Sequence, residues 1–375
     1  MGKLETYVEP AILRNVAIKF VFVSDSDQKL VAALRDDFDR QSCAVHDLSL
    51  AVKAALKLTE GSVAVMIEDS KVLVQHFKRN GLNRNLSATL KQDVPTRFNS
   101  IYTMLQSIDN VFDEVTTVLT TSDNRTYLAN IKRKTLQALC KELKRFDEAT
   151  HRLAVENKET LHLVVPILFE LKSKMTKQAE RYGTEHPDMA KLCKVLATSV
   201  QEKCIHKLTW YHVAAVLMYP EYRNHPCMSE MEAEIDRLRL DLQGMISSMD
   251  GPRCLGEPEA KKPKTVLIDS DTESDDKESE NEGFAERAGN ELDSYLRSTF
   301  DCDDGRLSPL EFWKKQAKCF PKLAQIARSI YAIPATQNKS ERAFSAASHV
   351  MTDLRTTLDP EHLDELLLIR SQYKH

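Results

Sequence analysis

Pro334-Ala335-Thr336-Gln337-Asn338-Lys339-Ser340-Glu341-Arg342-Ala343-Phe344-Ser345 is the stretch from which the rest of the chain can be read. Pro334 ends whatever precedes it, and from Ser340 to about Met351 the residues Ala343, Phe344, Ala346, Ala347 and Val350 recur at helical spacing. Ser340 can act as an N-cap, which puts Glu341 in the first turn, where the helix dipole favours a carboxylate. On these residues alone Glu341 is either a dipole-stabilising surface residue or an acid brought into a site by the fold.

Outward from this stretch, further motifs follow one another in order. They are Phe312-Trp313-Lys314, Phe320-Pro321-Lys322-Leu323, Ile333-Pro334-Ala335-Thr336, Arg355-Thr356-Thr357-Leu358 and Leu366-Leu367-Leu368-Ile369. Together with Ser340-Glu341-Arg342-Ala343-Phe344-Ser345, this C-terminal part resembles the dimerisation region of hAT transposases and of the host proteins derived from them. The resemblance implies packing against the chain's own catalytic domain and against a second protomer, through Trp313, Phe320, Phe344, Leu363, Leu366 and Leu367. It also implies that Glu341 is the third acid of an RNase H-like active site.

The N-terminal part continues the resemblance. Val16-Ala17-Ile18-Lys19-Phe20-Val21-Phe22-Val23 is β-branched and aromatic and reads as a buried strand ending at Ser24-Asp25. A helix is expected over 28–38, with Leu30, Val31, Leu34 and Phe38 inward. Read by themselves, Asp25 and Asp27 compete to cap that helix. The family pattern instead makes Asp25 the second catalytic Asp, because a Cys-x-x-His motif follows at about the right distance: Cys43-Ala44-Val45-His46-Asp47-Leu48-Ser49-Leu50. Cys43 and His46 share a helix face, but two ligands do not complete a tetrahedral zinc site, so we expect buried structural residues there and no metal. Asp93-Val94-Pro95-Thr96-Arg97-Phe98-Asn99-Ser100 resembles the family's DNA-processing motif, with Phe98 standing where the family has Trp. The exchange keeps a ring and loses the indole N–H donor.

Residues 101–249 carry amphipathic helical patterns at 131–153, 161–182, 189–206 and 228–249, the last with Met231, Ile235, Leu238, Leu242 and Met245 on one stripe. The expected fold is mainly α with a partial α/β core: a truncated RNase H-like fold over residues 1–60, interrupted by a helical insertion over 61–250. An acidic linker over 251–289 and the dimerisation region over 290–375 complete it. In the linker, Val266-Leu267-Ile268 precedes an acidic run and resembles a SUMO-interacting motif.

The net charge of −4 hides an uneven distribution. Residues 269–304 hold fourteen acidic and three basic residues, a local charge of −11 that leaves the rest about +7. A mildly basic folded part suits contact with DNA or chromatin. Eight cysteines without a C-x-x-C pair point to reduced thiols, and no apolar run is long enough to cross a membrane.

In the family the first catalytic Asp lies on an opening strand that we do not find here, and the BED zinc finger is not found either. Two acids cannot hold the metal pair that strand transfer needs. The expectation is therefore a nuclear, non-catalytic, domesticated transposase-like protein without a cofactor that forms a homodimer. The alternative is a fragment of an active, Mg²⁺-dependent transposase.

Overall fold

The computed structural model describes residues 21–34, 38–94, 99–121, 124–249, 291–300 and 307–337, together with 362, 365 and 369. Backbone packing divides the chain into two units, Phe20–His212 with Ile333–His375, and Val213–Ala332. The divisions fall inside one helix, between His212 and Val213, and at the end of another, between Ala332 and Ile333. Both units are mainly helical.

The larger unit opens with a parallel pair of strands, β1 (Val21–Ser24) and β2 (Asp39–Ser42), in the register Val21↔Asp39 to Ser24↔Ser42. The crossover between them contains α1 (Gln28–Leu34). This helix stops four residues short of the expected end, and Phe38 lies beyond it, its ring edge-on to Phe22 at 4.9 Å. Leu30 is 41% exposed, so the expectation that it faces inward is corrected. Asp27 fixes the helix start, its Oδ1 accepting from the N–H groups of Lys29 and Leu30 at 3.0 and 3.1 Å.

Seven long or medium helices then build the core: α2 (Ala44–Lys57), α3 (Gly61–Arg79), α4 (Ser100–Asn110), α5 (Phe112–Thr121), α6 (Arg133–Leu153), α7 (Leu161–Tyr182) and α8 (Pro187–Lys203). The pattern on α6 shows why they pack. Leu136, Leu139, Leu143, Phe146, Ala149 and Leu153 recur at three- and four-residue steps, and all are buried in one continuous apolar cluster. Glu142, also on α6, is fully buried but not unpaired, because Arg145 Nε donates to it at 2.9 Å and Tyr182 Oη at 3.1 Å. The start of α3 is equally constrained. Gly61 has φ +74°, and Ser62 N–H donates to the Asp188 carboxylate at 2.8 Å.

The smaller unit is organised by the end of α9 (Trp210–Leu217), a helix whose C-terminal half is entirely buried. A buried helix end leaves carbonyl groups that water cannot reach, so each needs a partner. Backbone N–H groups of Met218 and Tyr219 take the carbonyls of Ala214 and Val216 at 2.9 and 3.2 Å. Three side chains take the others: Tyr331 Oη donates to Ala215 O at 2.8 Å, Tyr295 Oη to Leu217 O at 3.3 Å, and Trp313 Nε1 to Met218 O at 2.9 Å. Those donors come from α11 (Glu291–Arg297), α12 (Pro309–Gln316) and α13 (Pro321–Tyr331). A Ser308–Glu311 capping box starts α12, and the buried Glu291 carboxylate accepts from Leu323 N–H at 2.8 Å near the start of α13.

Trp313 is 0% exposed and Phe320 is also buried, and both are turned into this unit's own interior. The remaining helix, α10 (Glu232–Ser248), buries Ile235, Leu238, Leu242 and Ile246, while Met231 precedes it in a 3-10 turn.

Candidate functional site

Ligands in parallel α/β sheets meet the carboxyl ends of the strands, where side chains and backbone groups project beyond the last hydrogen bond. In the larger unit that edge is Ser24-Asp25-Ser26. Because Asp27 caps α1, Asp25 is released from the capping role. Its Oδ1 instead accepts from Asp27 N–H at 3.1 Å, a local turn that holds the carboxylate at the strand end.

Three other segments converge on this tripeptide. Arg40, on β2, donates from Nε to Ser24 Oγ at 2.6 Å and from Nη2 to Ser24 O at 3.3 Å, and also reaches Asp25 O. Gln337 Oε1 accepts from Asp25 N–H at 3.0 Å. Lys207, in the 3-10 turn Ile205–Lys207, donates from Nζ to Ser26 Oγ at 3.2 Å and pairs with the buried carboxylate of Asp47. Burial pushes the neighbouring Cys204 thiol well above its ordinary range, so this thiol is not a nucleophile at neutral pH.

Cys43 and His46 flank the same edge. Cys43 is fully buried, its N–H donates to Ser24 O at 2.8 Å, and its own carbonyl accepts from Asp47 N–H at 3.0 Å. His46 sits half-buried on the first turn of α2. Ala44 N–H, also at that helix start, donates to Ala335 O at 3.1 Å. Residues 335–337 are thereby joined to the strand edge that carries Asp25.

Among the described residues no group of three or more His, Cys, Asp or Glu side chains could hold a metal ion. The described residues set one edge carboxylate, Asp25, between the hydrogen bonds of a guanidinium and an ammonium. Glu341 lies outside the described residues, as do Arg97, Phe98, Val266, Leu267, Ile268, Phe344, Leu363, Leu366 and Leu367.

The segment around Arg97 and Phe98 is framed by described neighbours. Asn99 adopts φ +54°, and its Nδ2 donates to Asp147 Oδ1 at 2.9 Å, while Ser100 Oγ donates to the Asp93 carboxylate. Beside them a cavity of about 230 Å³ has an apolar wall of Val52, Leu56, Ile101 and Phe146 and polar groups from Lys71 and Asp93.

Residues 291–373 match the hAT family C-terminal dimerisation region. The chain is hAT transposase-like. Over 92% of its length it is 26% identical to a putative AC transposase of Zea mays, covering 45% of that protein. It is 22% identical over 88% of its length to zinc finger protein 618 of Homo sapiens, covering 33% of it. Against the Hobo transposase of Drosophila melanogaster the identity is 21% over 86% of this chain and 54% of the relative. The hAT transposase-like chain thus spans a third to about half of these relatives.

Sequence reasoning named Asp25, Cys43 and His46, which lie at this edge, and did not single out Arg40, Asp47, Lys207 and Gln337. Asp47 and Gln337 fall within motifs that were read, but in positions where the pattern specifies no residue type. Lys207 lies 160 residues from its partner Asp47, a separation for which no local signal exists.

Proposed function

We propose that this chain pairs with a second copy through its hAT dimerisation region and acts in the nucleus, on chromatin or protein partners, without cutting or joining DNA. The observation that carries this reading is the cationic clamp on Ser24-Asp25-Ser26: Arg40 and Lys207 supply fixed positive charge where strand transfer needs bound metal. The Arg40 guanidinium, bound there only to neutral groups, opposes entry of a divalent ion by like-charge repulsion, while the Lys207 ammonium is already paired with Asp47. The parallel β1–β2 pair with Asp25 at its end is read as the remnant of an RNase H-like sheet interrupted by the helical insertion. The zinc-finger and transposase names of the relatives support a nuclear setting, and no helix among the described residues is long and apolar enough to cross a membrane. Val266, Leu267 and Ile268 are the proposed SUMO contact.

The test is strand cleavage and transfer on a terminal-repeat DNA with Mg²⁺ or Mn²⁺. No product is expected. Product that disappears in Glu341→Ala would overturn the proposal.

One observation favours a second reading, an active transposase: Gln337, four residues before Glu341, accepts a hydrogen bond from the Asp25 amide, so the chain reaches the strand edge shortly before the acid that the family resemblance makes the third. The same assay decides between them.

A further inference from the structure

Most of the described lysines are exposed, and their ion pairs, such as Lys191 with Glu60, lie on the surface. Lys207 differs. It belongs to a 3-10 turn closed by hydrogen bonds from Lys207 N–H to Cys204 O and from Leu208 N–H to Ile205 O, both at 3.1 Å, so its backbone is held. Its ammonium pairs with Asp47, whose side chain is 5% exposed and whose own N–H is tied to Cys43 O at 3.0 Å. A third contact, Lys207 Nζ to Ser26 Oγ at 3.2 Å, uses another of its donors on the residue that follows Asp25.

We infer that Lys207 is a positioning residue for Asp25. Anchored by Asp47, it fixes Ser26 from one side while Arg40 holds the Ser24 and Asp25 carbonyls from the other, and the Asp25 carboxylate is thereby kept at the strand edge. This rests on the reading of Ser24-Asp25-Ser26 as the site, but it does not depend on whether the site performs chemistry. A compact ammonium serves here because it can donate in two unrelated directions, to a carboxylate and to a hydroxyl, at one point.

Amide hydrogen exchange of the full-length chain tests it, read on peptides covering residues 21–30 with peptides of α6 as the control. Ser26→Ala removes the loop contact and leaves the Lys207–Asp47 pair intact. It is expected to speed exchange at the Asp25 and Asp27 amides by about fivefold, the factor that one hydrogen bond supplies, with α6 unchanged. Lys207→Arg should restrain the loop nearly as well as the native residue, because the charge and the donors remain. Should Lys207→Met alone leave the buried Asp47 uncompensated and the chain unfolded, Lys207→Met/Asp47→Leu removes both charges together and should loosen the loop as Ser26→Ala does.

Native exchange rates in both Ser26→Ala and the double variant would overturn the inference, as would loosening by Lys207→Arg equal to that of the double variant. DNA cleavage by the native chain would overturn the non-catalytic reading and leave this one standing, so the two failures are distinguishable.

Discussion

Replacing Trp313 with Phe separates a packing role from a pairing role. Trp313 is completely buried, and its indole N–H is the partner of Met218 O at the buried end of α9. Phe removes that donor and leaves a desolvated carbonyl, at a cost of about 1–3 kcal/mol. The lost part of the ring adds roughly 1–2 kcal/mol of transfer and cavity energy, because Tyr295 and Phe312, at 5.1 and 5.4 Å between ring centroids, hold the walls in place. We therefore expect Trp313→Phe to destabilise the smaller unit by about 2–5 kcal/mol, a large part of a domain's stability. Urea unfolding followed by far-ultraviolet circular dichroism reads this, with Phe312→Leu as a neighbour that lacks a polar atom and should cost less, about 1 kcal/mol. The loss should not depend on protein concentration. If Trp313→Phe lowers stability by under 1 kcal/mol, or only shifts the mass in solution towards monomer, the carbonyl-capping argument is wrong and Trp313 belongs to the interface.

Gly61→Ala should destabilise by about 1–3 kcal/mol, measured by thermal unfolding, because its φ of +74° is strained for alanine and the new Cβ would meet the Asp188 carboxylate at 2.6 Å. His212 is buried with Nδ1 accepting from Thr209 N–H at 3.1 Å, and burial pushes its pKa from 6.5 down to about 4. Its folded pKa lies below the unfolded one, so its contribution is complete above about pH 6.5 and is lost as pH falls towards 4. His212→Asn should flatten the stability profile in that window, and an unchanged slope would count against the assignment. Light-scattering mass of the native chain should be that of a dimer, and Leu366→Asp with Leu367→Asp should halve it; a native monomer would remove pairing from the proposed function.

Much of the local structure was legible in the residues. The pattern at 161–182 coincides with α7, and those at 131–153 and 189–206 differ from α6 and α8 by two or three residues at an end, because apolar spacing of three and four is a property of sequence alone. The end of β1 at Ser24 and the burial of Cys43 were equally readable, since a β-branched run and a small apolar thiol need no distant partner to be recognised. Less was readable at the edges of elements. Leu30 was expected inside on helical period, but Asp27 caps the helix and α1 ends at Leu34, too short to carry a full inward face.

By itself the sequence determined that the chain is mainly helical and that its C-terminal region is of the hAT dimerisation type, because periodicity and motif order are written along the chain. Only the tertiary structure decided what Trp313, Phe320 and Lys207 do. An indole that could have faced a partner is drawn inward by a carbonyl with no access to water, and a lysine is drawn to the Asp25 edge by a buried carboxylate. Each of these choices satisfies a polar group stranded by burial, and burial is set by the whole fold.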